Sequence, residues 1–133
     1  MKRMLSVMAA VGLVAALGFI SLAGDKVEDI SLEDLKKAIA DKKVTLIDVN
    51  GTDSYKKGHL PGAVDFASVK DDLAKSLPAE KDALIVAYCG SPQCPAYKQG
   101  ANAALKLGYT NVKHYAGGLK GWTEAGEKLE AAE

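Results

Sequence analysis

The chain has 133 residues, of which 48% are hydrophobic and 26% are charged, with 17 basic side chains balancing 17 acidic ones. This length and composition are typical of one globular domain and exclude a disordered or fibrous protein. The charges are interspersed without a basic run, so the sequence indicates no nucleic-acid partner.

The N-terminal segment has the pattern of a secretory signal peptide. Lys2 and Arg3 precede an uncharged, apolar run over residues 4–20, and small residues then predict cleavage after Ala23. The alternative is an uncleaved anchor, because the run is about long enough to span a bilayer. Both place residues 24–133, the single predicted domain, outside the cytoplasm. We therefore expect a periplasmic protein that meets a membrane only if the segment is uncleaved.

The first half of the mature chain predicts one long helix and one buried strand. Ser31 and Asp34 resemble a capping box, and apolar side chains at helical spacing predict a helix over residues 31–40. The β-branched, apolar run over residues 44–49 predicts a buried strand. Three shorter elements follow: a helical turn over residues 53–57, a strand over residues 63–65, and a helix over residues 68–75 that begins at Ser68.

The second half predicts a strand that ends directly at a cysteine. The most apolar strand covers residues 83–88, and Cys89 comes next. A compact loop runs from Cys89 to Cys94, and Pro95 marks the start of a helix that continues to about Leu107. A strand over residues 111–115 and a last helix that carries Trp122 complete the domain.

The alternation of short apolar strands with helices indicates an α/β fold. We expect a small parallel sheet that is flanked by helices on both faces. Ligands of such sheets bind beyond the carboxyl ends of the strands. Cys89 lies at that position, which makes its thiol the candidate reactive group.

A cysteine reacts as its thiolate, which needs positive potential nearby. The amino end of the helix after Pro95 offers one source. A second is a tight loop whose backbone N–H groups converge on the sulfur, and Gly90 allows such a loop to curve sharply.

Cys94 has three interpretations that the residues leave open. It is a small loop residue, a resolving thiol that attacks a Cys89 persulfide, or a disulfide partner of Cys89. The spacing of the two cysteines, without further cysteines or clustered histidines, predicts no metal site.

Four segments in order resemble the signatures of the rhodanese-like domain, the sulfurtransferase family. The resemblance covers about residues 27–126. The first segment is Asp48-Val49 followed by Tyr55 and residues 58–63, and the second is Tyr88-Cys89 at the strand end. The third is residues 108–112, and the fourth is Gly117-Gly118-Leu119 followed by Trp122.

The resemblance implies a single rhodanese-like fold and a catalytic Cys89. The thiol would attack the outer sulfur of a donor such as thiosulfate, become a persulfide, and pass the sulfur to a thiol or cyanide acceptor. The loop amides of Gly90, Ser91, Gln93 and Cys94 would cradle the persulfide. The expected partners are a small sulfur donor or a protein persulfide, with no cofactor and no metal.

The sequence departs from the family at the positions that would hold an anionic donor. Many members carry an arginine where Asn50 stands, and many carry Arg or Lys in the loop where residues 90–94 have neither. Pro92 and Pro95 also lack an N–H group. We therefore expect a donor that is less charged than thiosulfate, or the persulfide of another protein. The related phosphatases need a loop arginine, and Arg3 is the only arginine of this chain, which excludes that activity.

Other polar and aromatic residues are expected to be structural. His59 precedes a Pro-Gly turn, His114 lies in the last strand, Asp48 accepts N–H groups of the turn after it, and Trp122 belongs to the core. Lys98 and Lys120 are the nearest possible cations, with a solvated surface position as the default.

Two alternative functions stay open beside the sulfurtransferase. One is a thiol–disulfide or redox protein that uses Cys89 together with Cys94. The other is a non-catalytic binding module that keeps the fold but has an unreactive Cys89.

Overall fold

The computed structural model describes residues 27–91 and 93–131, so the predicted signal segment over residues 1–23 lies outside it. Within those two ranges, no helix is both long and apolar enough to cross a bilayer. The strands are β1 Glu28–Asp29, β2 Thr45–Asp48, β3 Val64–Asp65, β4 Leu84–Tyr88 and β5 Asn111–His114. The helices are α1 Leu32–Ala40, α2 Thr52–Lys57, α3 Phe66–Val69, a 3₁₀ helix Lys70–Ser76, α4 Tyr97–Lys106 and α5 Gly118–Glu124.

All five strands form one parallel sheet in the order β1-β5-β4-β2-β3. This confirms the predicted α/β fold with a parallel sheet. β4 is central and the most apolar strand, as its near-continuous hydrophobic run predicts for a strand that is buried on both faces. Its neighbours are β2, where Asp48 pairs with Tyr88, and β5, where His114 pairs with Ala87.

Helices cover both faces of the sheet. Alternate side chains of a strand point to opposite faces, so β4 contributes to two separate apolar clusters. In one cluster Val86 packs with Leu35 of α1 and Trp122 of α5. In the other, Ile85 packs with Ala104 of α4. Full burial of a side chain such as Leu35 stabilises the fold by about 1.5–3 kcal/mol, so these clusters supply most of the stability.

Helix α1 begins where the sequence predicts. The Ser31 hydroxyl accepts the Asp34 N–H at 3.0 Å, which satisfies one of the free N–H groups of the first turn. Glu33 and Asp34 place negative charge at the positive end of the helix dipole. A Ser31→Ala change would cost about 1 kcal/mol by removing the cap.

The helix predicted over residues 68–75 is wrong in both its start and its type. α3 begins at Phe66, and its N-cap is Asp65, whose Oδ1 accepts the Ala67 N–H at 3.1 Å. The Ser68 hydroxyl instead donates to Asp65 Oδ2 at 2.7 Å. The chain then continues as a 3₁₀ helix that is broken at Asp72. An aspartate caps a helix as well as a serine, so local pattern alone did not separate the two.

Candidate active site

Cys89 follows the last residue of β4 and has a fully buried side chain. The backbone on either side of this point stays paired: the Val49 N–H donates to the Tyr88 carbonyl and the Tyr115 N–H to the Ala87 carbonyl, each at 3.1 Å. Cys89 therefore lies at the carboxyl edge of the sheet, between the ends of β2 and β5. This is the edge where ligands bind in open parallel sheets.

The first turn of α5 holds the backbone of Cys89 and Gly90 in place. The N–H groups of Leu119 and Lys120 donate to the carbonyls of Cys89 and Gly90 at 3.0 and 2.9 Å. N–H groups in the first turn of a helix have no partner within the helix, so they are available for such contacts. The carbonyl oxygens of Cys89 and Gly90 are thereby bound to α5 and are not available to the Cys89 sulfur.

The loop after Cys89 curls back over the thiol. The Cys94 N–H donates to the Ser91 carbonyl at 3.2 Å, which closes a turn. The Cys89 Sγ then lies 3.4 Å from the Cys94 carbonyl oxygen, to which its S–H donates. Both cysteines are free thiols, and Cys94 is the more exposed of the two.

Backbone N–H groups act on both sulfurs and oppose the effect of burial. Those of Ala96 and Tyr97, at the start of α4, hydrogen-bond to Cys89. Those of Gly90 and Ala96 hydrogen-bond to Cys94. These donors at the amino end of α4 favour the thiolate of each cysteine, but for Cys89 they do not outweigh burial.

The pKa values of the two thiols are shifted in opposite directions. Burial raises the pKa of Cys89, and the hydrogen bond and charge of Cys94 raise it further, to about 12, against the opposing N–H groups. Burial also raises the pKa of Cys94, but hydrogen bonds from Cys89, Ala96 and Gly90 outweigh it and hold that pKa below its ordinary value. In the resting pair, the first proton to leave therefore comes from Cys94.

The four predicted cradle residues take different positions. The Gly90 N–H faces Cys94, Ser91 contributes its carbonyl to the turn, and the Cys94 N–H is used in that same turn. Gln93 is exposed. Only the Gly90 donor, among these contacts, is directed at a sulfur in the resting protein.

The sequence predicts the helix start as a source of positive potential but does not identify the two N–H groups, those of Ala96 and Tyr97, that act on Cys89. The signal for them was present, because Pro95 marks a helix start and the first free N–H groups of that helix follow it. The curl of the loop, which decides where those donors point, is a three-dimensional property that the residue types do not determine.

Asn50 extends the site from the end of β2. Its Oδ1 lies 3.3 Å from the position that a Cβ on Gly90 would occupy. Its Nδ2 is buried and has no hydrogen-bond partner among the residues that the structure describes. A buried amide donor without a partner is unusual, and this one lies beside the reactive loop.

Asp48 anchors the edge of the sheet beneath the loop. Its Oδ2 accepts the Tyr88 hydroxyl at 2.7 Å, and its Oδ1 accepts the Asn50 N–H at 2.8 Å. The Tyr88 hydroxyl in turn accepts the Leu60 N–H at 2.9 Å. Burial raises the pKa of Asp48, while the hydrogen bonds from Asn50 and Tyr88 oppose the shift. These contacts join Asp48 to the Tyr88 hydroxyl and to the Asn50 backbone, and none of them involves the Cys89 sulfur. The role of Asp48 is therefore structural.

His59 is held by contacts on its own side of the domain. Its ring stacks on Tyr55 with 3.8 Å between centroids, and its Nδ1 lies 2.8 Å from the Tyr55 carbonyl oxygen. The backbone of His59 also pairs with that of Glu130. Its described contacts include neither cysteine.

His114 lies closer to the loop than its strand position alone suggests. Its ring stacks on Tyr97 at 3.4 Å, and its Nδ1 is 3.3 Å from Asp29 Oδ1. The Nε2 atom is buried without a hydrogen-bond partner in the described part of the chain. His114 therefore supports the first residue of α4, whose N–H faces Cys89.

The remaining predicted residues do not enter the site. Trp122 is buried in the core and donates its indole N–H to the Lys128 carbonyl at 2.9 Å. The Lys120 Nζ is 2.7 Å from Glu124 Oε2, so this cation is directed along α5, and Lys98 is exposed. Across residues 27–91 and 93–131, no group of three His, Cys, Asp or Glu side chains could hold a metal ion.

Comparisons with known proteins agree with this architecture. Residues 31–125 match the rhodanese-like domain family. A helix-turn-helix transcriptional regulator of Mycobacterium tuberculosis is 31% identical over 113 residues, which are 84% of this chain and 48% of the regulator. The human thiosulfate:glutathione sulfurtransferase is 28% identical over 108 residues, which are 71% of this chain and 92% of that protein. The chain thus spans about half of the first relative and nearly all of the second.

Solved structures give the same result at the level of the fold. A human single-domain sulfurtransferase superposes with a TM-score of 0.57 at 23% identity, covering 74% of this chain and 96% of that one. The rhodanese-like domain of an Anabaena protein, solved by NMR, superposes with a TM-score of 0.62 at 25% identity, covering 77% and 78%. The 3-mercaptopyruvate sulfotransferase of Escherichia coli superposes with a TM-score of 0.65 at 19% identity, covering 80% of this chain and 51% of that one.

Proposed function

The chain belongs to the rhodanese-like domain family, and we propose that it is a sulfurtransferase that carries sulfane sulfur as a persulfide on Cys89. The observation that carries the proposal is the position of this thiol at the end of the central strand, where it faces the N–H groups of Ala96 and Tyr97. Those donors are fixed in the backbone, so they stabilise negative charge on sulfur without rearrangement.

The first step is attack on a sulfane donor. The Cys89 thiolate forms a bond to the outer sulfur of the donor, the S–S bond of the donor breaks, and the remainder leaves with the bonding electron pair. With thiosulfate as donor, the leaving group is sulfite. The product is a Cys89 persulfide, whose terminal sulfur accepts hydrogen bonds from the surrounding N–H groups.

The high pKa of Cys89 requires that its proton be removed as the donor binds. In the resting protein this S–H group donates to the Cys94 carbonyl oxygen at 3.4 Å, a backbone contact that does not involve the Cys94 thiol. The leaving group of the donor carries the electron pair of the broken S–S bond. It takes up the Cys89 proton as the new S–S bond forms.

The second step passes the sulfur to an acceptor. A thiolate or cyanide attacks the outer sulfur of the persulfide, the persulfide S–S bond breaks, and the Cys89 thiolate leaves. The products are a new persulfide or thiocyanate, and the enzyme returns to its starting state. No oxidant or reductant is consumed.

We infer a donor of low charge from the polar groups of the site. The loop has no arginine or lysine, and Lys120 is paired with Glu124. The unpartnered Asn50 Nδ2 offers a neutral donor in place of a cation. Organic persulfides and protein persulfides meet this requirement better than the thiosulfate dianion, because a buried dianion without a counter-charge is costly.

We further propose that the protein acts after export to the periplasm. The proposal rests on the signal-peptide pattern of residues 1–23 alone. A pulse-chase experiment in a bacterial host that distinguishes a periplasmic, shortened chain from a full-length membrane-bound or cytoplasmic one tests it.

One observation favours a second candidate, a binding module without catalysis. The Cys89 thiol is fully buried and its pKa is raised, which are properties of unreactive cysteines. Such a module would use the same sheet edge to hold a ligand or partner without forming a persulfide.

A single-turnover transfer assay separates the two candidates. Cys94→Ser protein, in which no second thiol can consume a persulfide, is incubated with glutathione persulfide, freed of excess donor by gel filtration, and then mixed with cyanide. The sulfurtransferase predicts thiocyanate at up to one equivalent per chain, and Cys89→Ser abolishes it. If neither protein forms thiocyanate and Cys89 remains a free thiol, the binding module is the correct assignment.

A further inference from the structure

Cys94 lies in contact with the sulfur that would become the persulfide. The turn between Ser91 and Cys94 brings the Cys94 carbonyl oxygen to 3.4 Å from Cys89 Sγ, and the two thiols are near enough for each to shift the pKa of the other. The contact therefore involves Sγ itself, which is the inner sulfur of a Cys89 persulfide. The added outer sulfur would extend beyond this contact.

Backbone donors prepare Cys94 to act as a nucleophile. The N–H groups of Gly90 and Ala96 face its sulfur and, together with the Cys89 S–H, favour its thiolate. Cys94 is also partly exposed, whereas Cys89 is fully buried. A partly exposed thiol with a lowered pKa beside a buried persulfide is the arrangement of a resolving cysteine.

We propose that Cys94 is a resolving thiol that attacks Sγ of the Cys89 persulfide, closes a Cys89–Cys94 disulfide and releases hydrosulfide. The inference rests on the proposed function, since the persulfide must form first. It adds a second activity to sulfur transfer: reduction of sulfane sulfur to sulfide.

The step balances without any other reactant. A bond forms between the two cysteine sulfurs, the bond between Sγ and the outer sulfur breaks, and the outer sulfur leaves with the bonding pair and the persulfide proton as hydrosulfide. The sulfane sulfur is reduced by two electrons, and the two cysteine sulfurs together are oxidised by two. Return to the dithiol requires an external dithiol reductant, which a thiol–disulfide exchange protein or a small dithiol provides.

Proximity favours this route over transfer to an external acceptor. Cys94 is held in place by the loop, so its attack is intramolecular, whereas an external thiol must first reach a buried sulfur. We therefore expect wild-type protein to lose its persulfide even without an added acceptor. A variant without the Cys94 thiol should retain it.

The test compares wild-type protein with Cys94→Ser and Cys94→Ala under strict exclusion of oxygen. Each reduced protein is mixed with glutathione persulfide, freed of excess donor and analysed by intact mass, peptide mapping and a sulfide assay. Wild-type protein is expected to show the loss of two hydrogens, a Cys89–Cys94 cross-linked peptide and one equivalent of released hydrosulfide. Both Cys94 variants are expected to gain one sulfur atom on Cys89 and to release none. Wild-type protein without donor must remain a dithiol, which excludes adventitious oxidation.

Two results would overturn the resolving role while leaving the proposed function intact. In one, wild-type protein keeps the added sulfur on Cys89 as long as the Cys94 variants do. In the other, the sulfur is found on Cys94, which indicates attack on the outer sulfur and transfer between the two residues. If neither wild-type nor variant protein gains sulfur or loses hydrogen, both proposals fail together.

Discussion

The Cα atom of Gly118 lies against the carbonyl group of Cys89. Gly118 has φ +61°, and a Cβ at this position would lie 2.5 Å from the Cys89 carbonyl oxygen and 2.9 Å from the Gly90 carbonyl carbon. No side chain fits there without a shift of the backbone that carries the reactive thiol. The second glycine of the Gly117-Gly118 pair is therefore part of the architecture of the site.

Gly118→Ala should displace the loop and impair sulfur loading. The methyl group must push away the backbone of Cys89 and Gly90, which also weakens the N–H contacts from α5. The matched control is Gly126→Ala: Gly126 has φ +85° with nothing within 4 Å of its Cβ position, so it tests backbone strain alone. That strain costs about 1–2 kcal/mol. We expect both variants to lower the urea midpoint and only Gly118→Ala to reduce persulfide formation. Equal loading by the two variants would show that the close approach is unimportant.

Tyr88→Phe should destabilise the fold strongly. It removes the hydroxyl that donates to Asp48 and accepts the Leu60 N–H, and so leaves two buried polar groups without that partner. We expect a loss of about 2–3 kcal/mol in urea unfolding, since one of the groups is a carboxylate. Tyr109→Phe is the control, because its hydroxyl donates only to the Pro78 carbonyl and its loss should cost about 1 kcal/mol. A smaller cost for Tyr88→Phe than for Tyr109→Phe would contradict the network.

Stability should fall on mild acidification because of His114. Burial lowers the pKa of His114, and Asp29 only partly opposes the shift. The unfolded chain therefore binds a proton at higher pH than the folded protein. The stabilisation is complete above the ordinary value of about 6.5 and is lost as the pH falls through the lowered folded value. Urea midpoints measured from about pH 7.5 to about pH 5 should drop less in His114→Gln than in wild type. Asp29→Asn removes the charge that partly raises the His114 pKa, so the loss of stability should continue to lower pH than in wild type. Identical pH profiles for all three proteins would show that His114 is not the group responsible.

Iodoacetamide should modify Cys94 before Cys89 at neutral pH. The thiolate is the reactive form, and the hydrogen-bonded pair holds its first negative charge on Cys94. One pKa unit changes the thiolate fraction tenfold, so we expect a rate ratio of at least about ten. Peptide mapping during a short alkylation gives the ratio directly. Preferential labelling of Cys89 would show that Cys89, and not Cys94, has the lower pKa.

The sequence predicted the sheet and the place of the thiol because both follow from local patterns. The apolar run before Cys89, the turn residues around it and the cap at Ser31 are readable signals, and helices alternating with strands require a parallel sheet. Asp65 shows where local patterns stop being sufficient. Whether Asp65 or Ser68 caps the next helix depends on which residues of β3 pair with β2, and the local sequence does not contain that information.

The details of the site depend on contacts across the fold. The approach of Gly118 to Cys89, the stacking of His114 on Tyr97, and the direction of the Ala96 N–H arise from elements that are distant in sequence. Cys94 was recognised from its spacing, but its hydrogen bond with Cys89 follows from the curl of the loop. These are the features that decide reactivity, and they could not be predicted from residue types alone.

The most direct measurement for the central claim is the intact mass of the Cys94→Ser protein after exposure to a sulfane donor and removal of the excess. This variant retains Cys89 and lacks the thiol that would resolve a persulfide. We predict a gain of one sulfur atom, located by peptide mapping on Cys89, which cyanide removes as thiocyanate. An unchanged mass with thiosulfate, inorganic polysulfide and glutathione persulfide, in a protein whose Cys89 is a free thiol, would contradict persulfide carriage.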